Sequence, residues 1–253
     1  MSTAAPPPSP SPSTSPSTST SSRPQAVLFD LDDTLWPIGP VIARAELTLH
    51  AWLGQHAPKV AQRFSIEQLR EYRMALLRSR PELAIDLSAV RRAGLLAAFA
   101  EAGEDSVHVE AAMRHFLAAR NAVVLYEDVL PGLLRLKQKL RLGTISNGNG
   151  DLAAIGLDQH FEVSLAACHV GHGKPDPAIF LAACAALGVA PRHAVYVGDD
   201  LQLDVVGAQR AGLRAVWLNR HGGDAHLAAG VVPDAICASF DEVRRWIERQ
   251  LEE

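Results

Sequence analysis

The sequence predicts an α/β fold: a parallel sheet covered by helices on both faces, with an all-helical segment inserted after the first strand. Three observations carry this expectation. Short apolar runs recur that each end in a polar or acidic residue. Helical patterns of ordinary length separate them, which favours parallel strands with crossover helices. The stretch from 37 to 125 breaks this alternation and contains no clear strand pattern.

In chain order, residues 1–25 are almost all Ser, Thr, Pro and Ala and are expected to be a disordered tail, because they bury too little apolar area to offset ordering. The first strand is Ala26-Val27-Leu28-Phe29, delivering Asp30 at its carboxyl end. Residues 37–125 read as helices. Ile42, Leu49, Trp52 and Leu53 form one stripe, and Ser65 with Gln68 forms a capping box before Leu69, Leu76 and Leu77. Leu95, Leu96 and Phe99 mark a further helix, and Val109, Met113, Phe116 and Leu117 another. Residues 37–125 are therefore expected to form a second domain, with 26–36 and 126–253 forming the core.

Within that core, Pro131 opens a helix carrying Leu133, Leu134, Leu136 and Leu140. Leu142–Ser146 is the second strand, Val163–Ala166 a weaker third, Ala194–Gly198 the fourth and Ala215–Leu218 the fifth. Asp176-Pro177 caps a helix that Gly188 ends, and Gly212 ends the helix after Asp204. Ser239 and Glu242 form a capping box that starts a last helix through Phe240, Val243, Ile247 and Leu251.

Composition narrows the function. The 253 residues are 48% hydrophobic with a formal net charge of -4, so the chain carries a real core and no general attraction to nucleic acid or anionic membrane. No apolar run reaches the roughly 18 residues of a membrane span. Cys168, Cys184 and Cys237 are widely spaced and read as buried small apolar residues in a reducing compartment. The chain is expected to be cytoplasmic.

Four motifs gather where ligands bind such sheets, outside the carboxyl ends of the strands. Asp30 and Asp32 sit at i and i+2, so in extended chain they share a face. Two charges about 4 Å apart repel by roughly 4 kcal/mol at an effective dielectric near 20. A proton or a hard cation such as Mg²⁺ must offset that. Ser146-Asn147-Gly148 offers a hydroxyl and loop amides for phosphate oxygens. Lys174-Pro175 holds an ammonium on stiffened chain, suited to developing phosphoryl charge. Asp199, Asp200 and Asp204 follow a strongly apolar strand, where metal binding explains carboxylates better than solvation does. Taken singly, each has a plainer reading: a surface turn, a loop turn, an exposed lysine, a helix cap.

Together these motifs resemble the haloacid dehalogenase-like hydrolase superfamily, in order and spacing, across all but the tail. The resemblance implies a Rossmann-like core and a helical cap of the subfamily I type. It implies that Asp30 is a nucleophile forming an aspartyl-phosphate, and that Asp32 is a general acid and then base. It further implies that Ser146 and Asn147 bind phosphate, that Lys174 steadies nucleophile and phosphate, and that Mg²⁺ is held by Asp30, the Asp32 carbonyl and Asp199. Asp200 and Asp204 would hold metal-bound water or orient Lys174. The dehalogenase branch lacks an acid at the position of Asp32, so phosphatase action on a small phosphorylated metabolite is expected over dehalogenation.

Ile145–Asn149, Val197–Leu201 and the run to Trp217 further resemble a bacterial branch acting in riboflavin synthesis on the ribitylaminouracil phosphate, some of whose members take flavin mononucleotide or sugar phosphates. Sugar-phosphate or nucleotide phosphatases of the same family are the alternative, with a non-catalytic binding module further off. From the insert, Arg91 or Arg92 is expected to reach polar substrate atoms. The other reading of both is a solvated basic face. His169 and His172 near Lys174 lack a third clear ligand for zinc.

Overall fold

A computed structural model describes residues 23–225 and 229–252. Most of the expected disordered tail, residues 1–22, lies outside them. Order begins slightly earlier than the sequence suggests. Gln25 already bonds along the sheet, its N–H to His193 O at 2.8 Å and its carbonyl to Arg141 N at 3.1 Å.

Six parallel strands form one sheet in the order β3-β2-β1-β4-β5-β6. They are β1 (Ala26–Phe29), β2 (Arg141–Ser146), β3 (Val163–Ala166), β4 (Ala194–Gly198), β5 (Arg214–Leu218) and β6 (Ala235–Cys237). Five were legible. The three-residue β6 was missed because it is too short to show a pattern and sits at the sheet edge, paired only to β5.

β1 lies at the centre and is buried on both faces, which its unbroken apolar run requires. Its residues alternate between two cores. Val27 and Phe29 join Val195, Val197, Leu133, Leu136, Phe240, Val243 and Ile247 on one face. Ala26 and Leu28 join Tyr196, Ile179, Phe180 and Ala183 on the other. The chain crosses from one side of β1 to the other between β3 and β4, so the strand order reverses at β1/β4. The carboxyl ends of those two strands are the natural ligand position.

Between β1 and β2 run five helices, α1 (Ile38–His56), α2 (Pro58–Arg63), α3 (Ile66–Ser79), α4 (Leu87–Ala102) and α5 (Val109–Asn121). They share an apolar cluster of their own, including Leu49, Leu53, Phe99, Met113 and Phe116. The capping box at α3 is complete, with Ser65 and Gln68 bonded reciprocally. Buried Glu46 on α1 ties three helices by accepting from Arg70 at 2.6 Å and from Arg73, with Arg91 Nη1 at 3.9 Å. The two connections to the sheet run side by side, Tyr126 N–H donating to Leu35 O at 3.1 Å. Among the described residues no helix is long and apolar enough to cross a membrane. Cys184 and Cys237 are buried as expected, whereas Cys168, on the short helix after β3, is exposed.

After the insert, α6 (Val129–Lys137) begins two residues before the Pro131 start that the sequence suggested. The final helix, Phe240–Gln250, is capped by Ser239, while Glu242 accepts from Ala238 N–H instead of closing a reciprocal box. Phe240 is fully buried and stacks on Phe29 with ring centroids 5.3 Å apart. A Cβ on Gly132 of α6 would come within 2.5 Å of the Phe240 ring, so this glycine lets α6 approach it. Phe240→Ala is therefore expected to cost about 3–5 kcal/mol of unfolding free energy in urea titration. A loss below about 1 kcal/mol would mean that this aromatic contact does not hold the last helix to the sheet.

Candidate active site

Asp30 leaves the end of β1 with its N–H bonded to Val197 O of β4 at 2.9 Å. The carboxylate is thereby fixed between the two strands where the order reverses. Lys174, on the loop before the helix Pro177–Ala186, reaches in from the side and donates to Asp30 Oδ1 at 2.5 Å and Asp204 Oδ1 at 2.7 Å. All three side chains are buried. Asp204 lies on a π-helical turn, Leu201–Val206, that follows β4. It also accepts from Tyr196 Oη at 3.2 Å and from Asp200 N–H at 2.9 Å. Gly198 makes this possible, because a Cβ there would lie 2.3 Å from the Asp204 carboxyl carbon.

Asn147 serves the lysine rather than pointing its amide into the pocket. Its Oδ1 accepts from Lys174 N–H at 2.7 Å and its Nδ2 donates to Lys174 O at 2.8 Å. The sequence reading gave Asn147 to phosphate. Its side chain pins the lysine backbone, a long-range pairing that no local pattern reveals, and the residue also lines the cleft where the loop amides were expected to meet phosphate. Ser146 Oγ accepts from Gly148 N–H at 2.9 Å, which leaves its hydroxyl proton to donate elsewhere. Asp200 caps the π-helical turn, accepting from Gln202 and Leu203 N–H at 2.7 Å each. The helix-cap reading therefore describes its carboxylate.

Asp30, Asp32, Ser146, Asn147, Lys174, Asp199, Asp200 and Asp204 all line one cleft of about 250 Å³. Oxygens of Asp30, Asp199 and Asp204 lie within 4.8 Å of one another. Three carboxylates face one ammonium, an excess of two negative charges when all are ionised. Burial, with Asp204 and Asp199 close by, raises the Asp30 carboxyl well above its ordinary range against the pull of Lys174. Asp199 is pushed up to about 7 by burial and then by Asp204 and Asp33. For Lys174, burial alone favours the neutral amine, but Asp204 and Asp30 outweigh it and keep the ammonium charged.

A divalent cation fits this donor set. It is all oxygen, and the excess charge matches two positive charges. Among the described residues Asp30 keeps one oxygen free of protein hydrogen bonds, and the only hydrogen bond to the Asp199 carboxylate is a long one, 3.4 Å from Thr34 Oγ1. Asp204 is committed to Lys174, Tyr196 and Asp200 and stands behind the lysine.

Asp32 also faces the cleft, held by Trp36 Nε1 at 2.8 Å on Oδ1 and by Arg120 Nη2 at 2.7 and 2.8 Å on its two oxygens. Burial raises its pKa, while Arg120 and Trp36 pull it down. Arg120 was not found from sequence, since nothing on a helix 88 residues away marks a partner for Asp32. The expectation for Arg91 and Arg92 fails on geometry. Arg91 turns into the insert, its guanidinium 3.4 Å over the Phe116 ring, and Arg92 pairs with Glu110 at 2.7 Å on the surface. Neither lines the cleft. His172 bonds Asp176 at 2.9 Å.

Comparison with known proteins agrees with this geometry. A family model described as haloacid dehalogenase-like hydrolase matches residues 24–212. The chain is 34% identical over 206 residues to the 5-amino-6-(5-phospho-D-ribitylamino)uracil phosphatase YigB of Escherichia coli (strain K12), covering 80% of this chain and 86% of that protein. It is 32% identical over 212 residues to a glyceraldehyde 3-phosphate phosphatase of Methanopyrus kandleri, covering 78% and 84% respectively. Among solved structures, a 2-haloacid dehalogenase from Pseudomonas syringae pv. Tomato DC3000 superposes with a TM-score of 0.83 at 38% identity, covering 89% of this chain and 99% of that one. With the motifs, the sheet order and these matches in agreement, the chain belongs to the haloacid dehalogenase-like hydrolase family.

Proposed function

We propose that the protein is a Mg²⁺-dependent phosphomonoesterase that transfers the phosphoryl group of a small metabolite to Asp30 and then to water. The observation that carries this is the single cleft in which Asp30, Asp32, Lys174 and Asp199 converge. Asp30 attacks phosphorus while Asp32 gives a proton to the leaving oxygen. Asp32, now a carboxylate, takes a proton from the water that releases phosphate from Asp30. Dividing the reaction lowers each barrier, and Lys174 and Ser146 bind phosphoryl oxygens throughout. Mg²⁺ held by Asp30, the Asp32 carbonyl and Asp199 would reduce the repulsion between an anionic nucleophile and an anionic ester. Helices α1–α5 act as a cap domain over residues 26–36 and 126–252, opening about Trp36-Pro37 and Tyr126 to admit substrate and exclude water.

Similarity to the ribitylaminouracil phosphatase over most of both chains supports 5-amino-6-(5-phospho-D-ribitylamino)uracil as the first substrate to try. A panel with flavin mononucleotide and hexose phosphates separates it from the sugar-phosphate and nucleotide alternatives. The likeness to a solved haloacid dehalogenase raises a second reading. Asp32 and the excess acid around Lys174 favour phosphoryl transfer, because halide displacement needs neither a proton donor nor a cation.

Hydrolysis of p-nitrophenyl phosphate is expected to require Mg²⁺ and to fall to background in Asp30→Asn, with no halide released from 2-haloacids. Halide release without metal would reverse the assignment. Mg²⁺ is also expected to stabilise the fold, by about 2.7 kcal/mol at a concentration of 100 Kd, seen as a rise in Tm. Asp199→Asn should abolish most of that rise. An undiminished shift in this variant would place the cation elsewhere.

A further inference from the structure

We propose that Arg120, on the last helix of the insert, is a positioning residue that aims Asp32 at the leaving group. The inference rests on the role given to Asp32 above. Arg120 is 1% exposed, and its guanidinium bonds the carboxylate of Asp32, which lines the cleft. One terminal nitrogen, Nη2, contacts both Asp32 oxygens, and Trp36 Nε1 holds Oδ1 from the core. The other, Nη1, is buried with no hydrogen-bond partner among the described residues. Arginine–carboxylate pairs are frequently bidentate, with two parallel N–H···O bonds. Here the fork is half used, and its site is the one acid that must change charge during turnover.

The loop after β2 is shaped around this contact. A Cβ on Gly148 would lie 2.7 Å from Asp32 Oδ2 and 3.2 Å from Ser146 Oγ, and a Cβ on Gly150 would lie 3.3 Å from Arg120 Nη2. Both glycines clear the space in which Asp32 and Arg120 meet. Without this grip, Asp32 has two free side-chain torsions and anionic neighbours in Asp30 and Asp33. With it, the carboxyl group keeps one orientation toward the cleft, which is what an oriented proton donor requires.

The chemistry makes the role measurable. As the bond from Asp30 to phosphorus forms, the phosphorus–oxygen bond to the alcohol breaks and the Asp32 proton moves to that oxygen. Asp32 is left a carboxylate, and Arg120 meets the new charge. An alkoxide needs that proton to leave, whereas p-nitrophenolate leaves without it. A residue that orients Asp32 therefore matters far more for alkyl phosphates than for p-nitrophenyl phosphate.

The test measures kcat/KM for p-nitrophenyl phosphate and for the best alkyl phosphate of the metabolite panel in the parent, Asp32→Asn, Arg120→Ala and Arg120→Lys. Their ratio within one preparation cancels the fraction of folded enzyme, so a destabilised variant still gives an answer. Arg120→Ala is expected to lose about 10²-fold on the alkyl ester, the low end of general acid catalysis, and under about tenfold on p-nitrophenyl phosphate. Arg120→Lys, which keeps one donor, should restore part of the alkyl rate, and it decides alone if the alanine variant cannot be made. Equal losses on both esters in the Arg120 variants, beside a selective loss in Asp32→Asn, overturn the role of Arg120 only. A non-selective Asp32→Asn overturns the acid assignment and this proposal with it.

Discussion

Everything at the cleft hangs on one buried ammonium. Lys174 sits between Asp30 and Asp204, at 2.5 and 2.7 Å, and a buried charge survives only when paired and hydrogen-bonded. The surroundings are built for that pairing. Asn147 clamps the lysine backbone, Gly198 admits Asp204, and Tyr196 and the Asp200 amide occupy further Asp204 lone pairs. Holding Asp204 behind the lysine leaves Asp30 and Asp199 facing outward with more negative charge than one ammonium can balance. That surplus suits a cation, and the same lysine keeps the Asp30 carboxylate from turning away.

The sheet explains why these residues meet at all. β1 and β4 are neighbours although Ala26 and its register partner Ala194 stand far apart in the chain, and the order reverses between them. Asp30 and Asp199 follow directly from those strands. Their approach is thus a consequence of backbone pairing, whereas Asp32 depends on a side chain carried by the insert. The sheet alone brings Asp30 and Asp199 together, and the last insert helix reaches Asp32 through Arg120.

What the sequence revealed follows the range of the interactions. Strands β1, β2, β4 and β5 were readable because burial on both faces forces continuous apolar runs, and the acids after them stood out against that background. Local caps at Ser65, Asp176 and Ser239 were readable because their partners lie within three residues. β6 was too short. Asn147, Arg91 and Arg120 took partners that local patterning cannot specify: Lys174 across 27 residues, Phe116 within the insert, and Asp32 across 88. The arginines after Ser88 suggested a substrate contact by charge alone, while the arginine that grips Asp32 lies in an unremarkable helix.

The claim at the centre is that charge around Lys174 prepares Asp30 to accept a phosphoryl group. Rapid acid quench during turnover of p-nitrophenyl phosphate with Mg²⁺, followed by peptide mass spectrometry, tests it most directly. A phosphoryl adduct on the peptide holding Asp30, at that residue and absent from Asp30→Asn, is the predicted result. Turnover with the adduct on another residue, or undiminished turnover in Asp30→Asn, would contradict it.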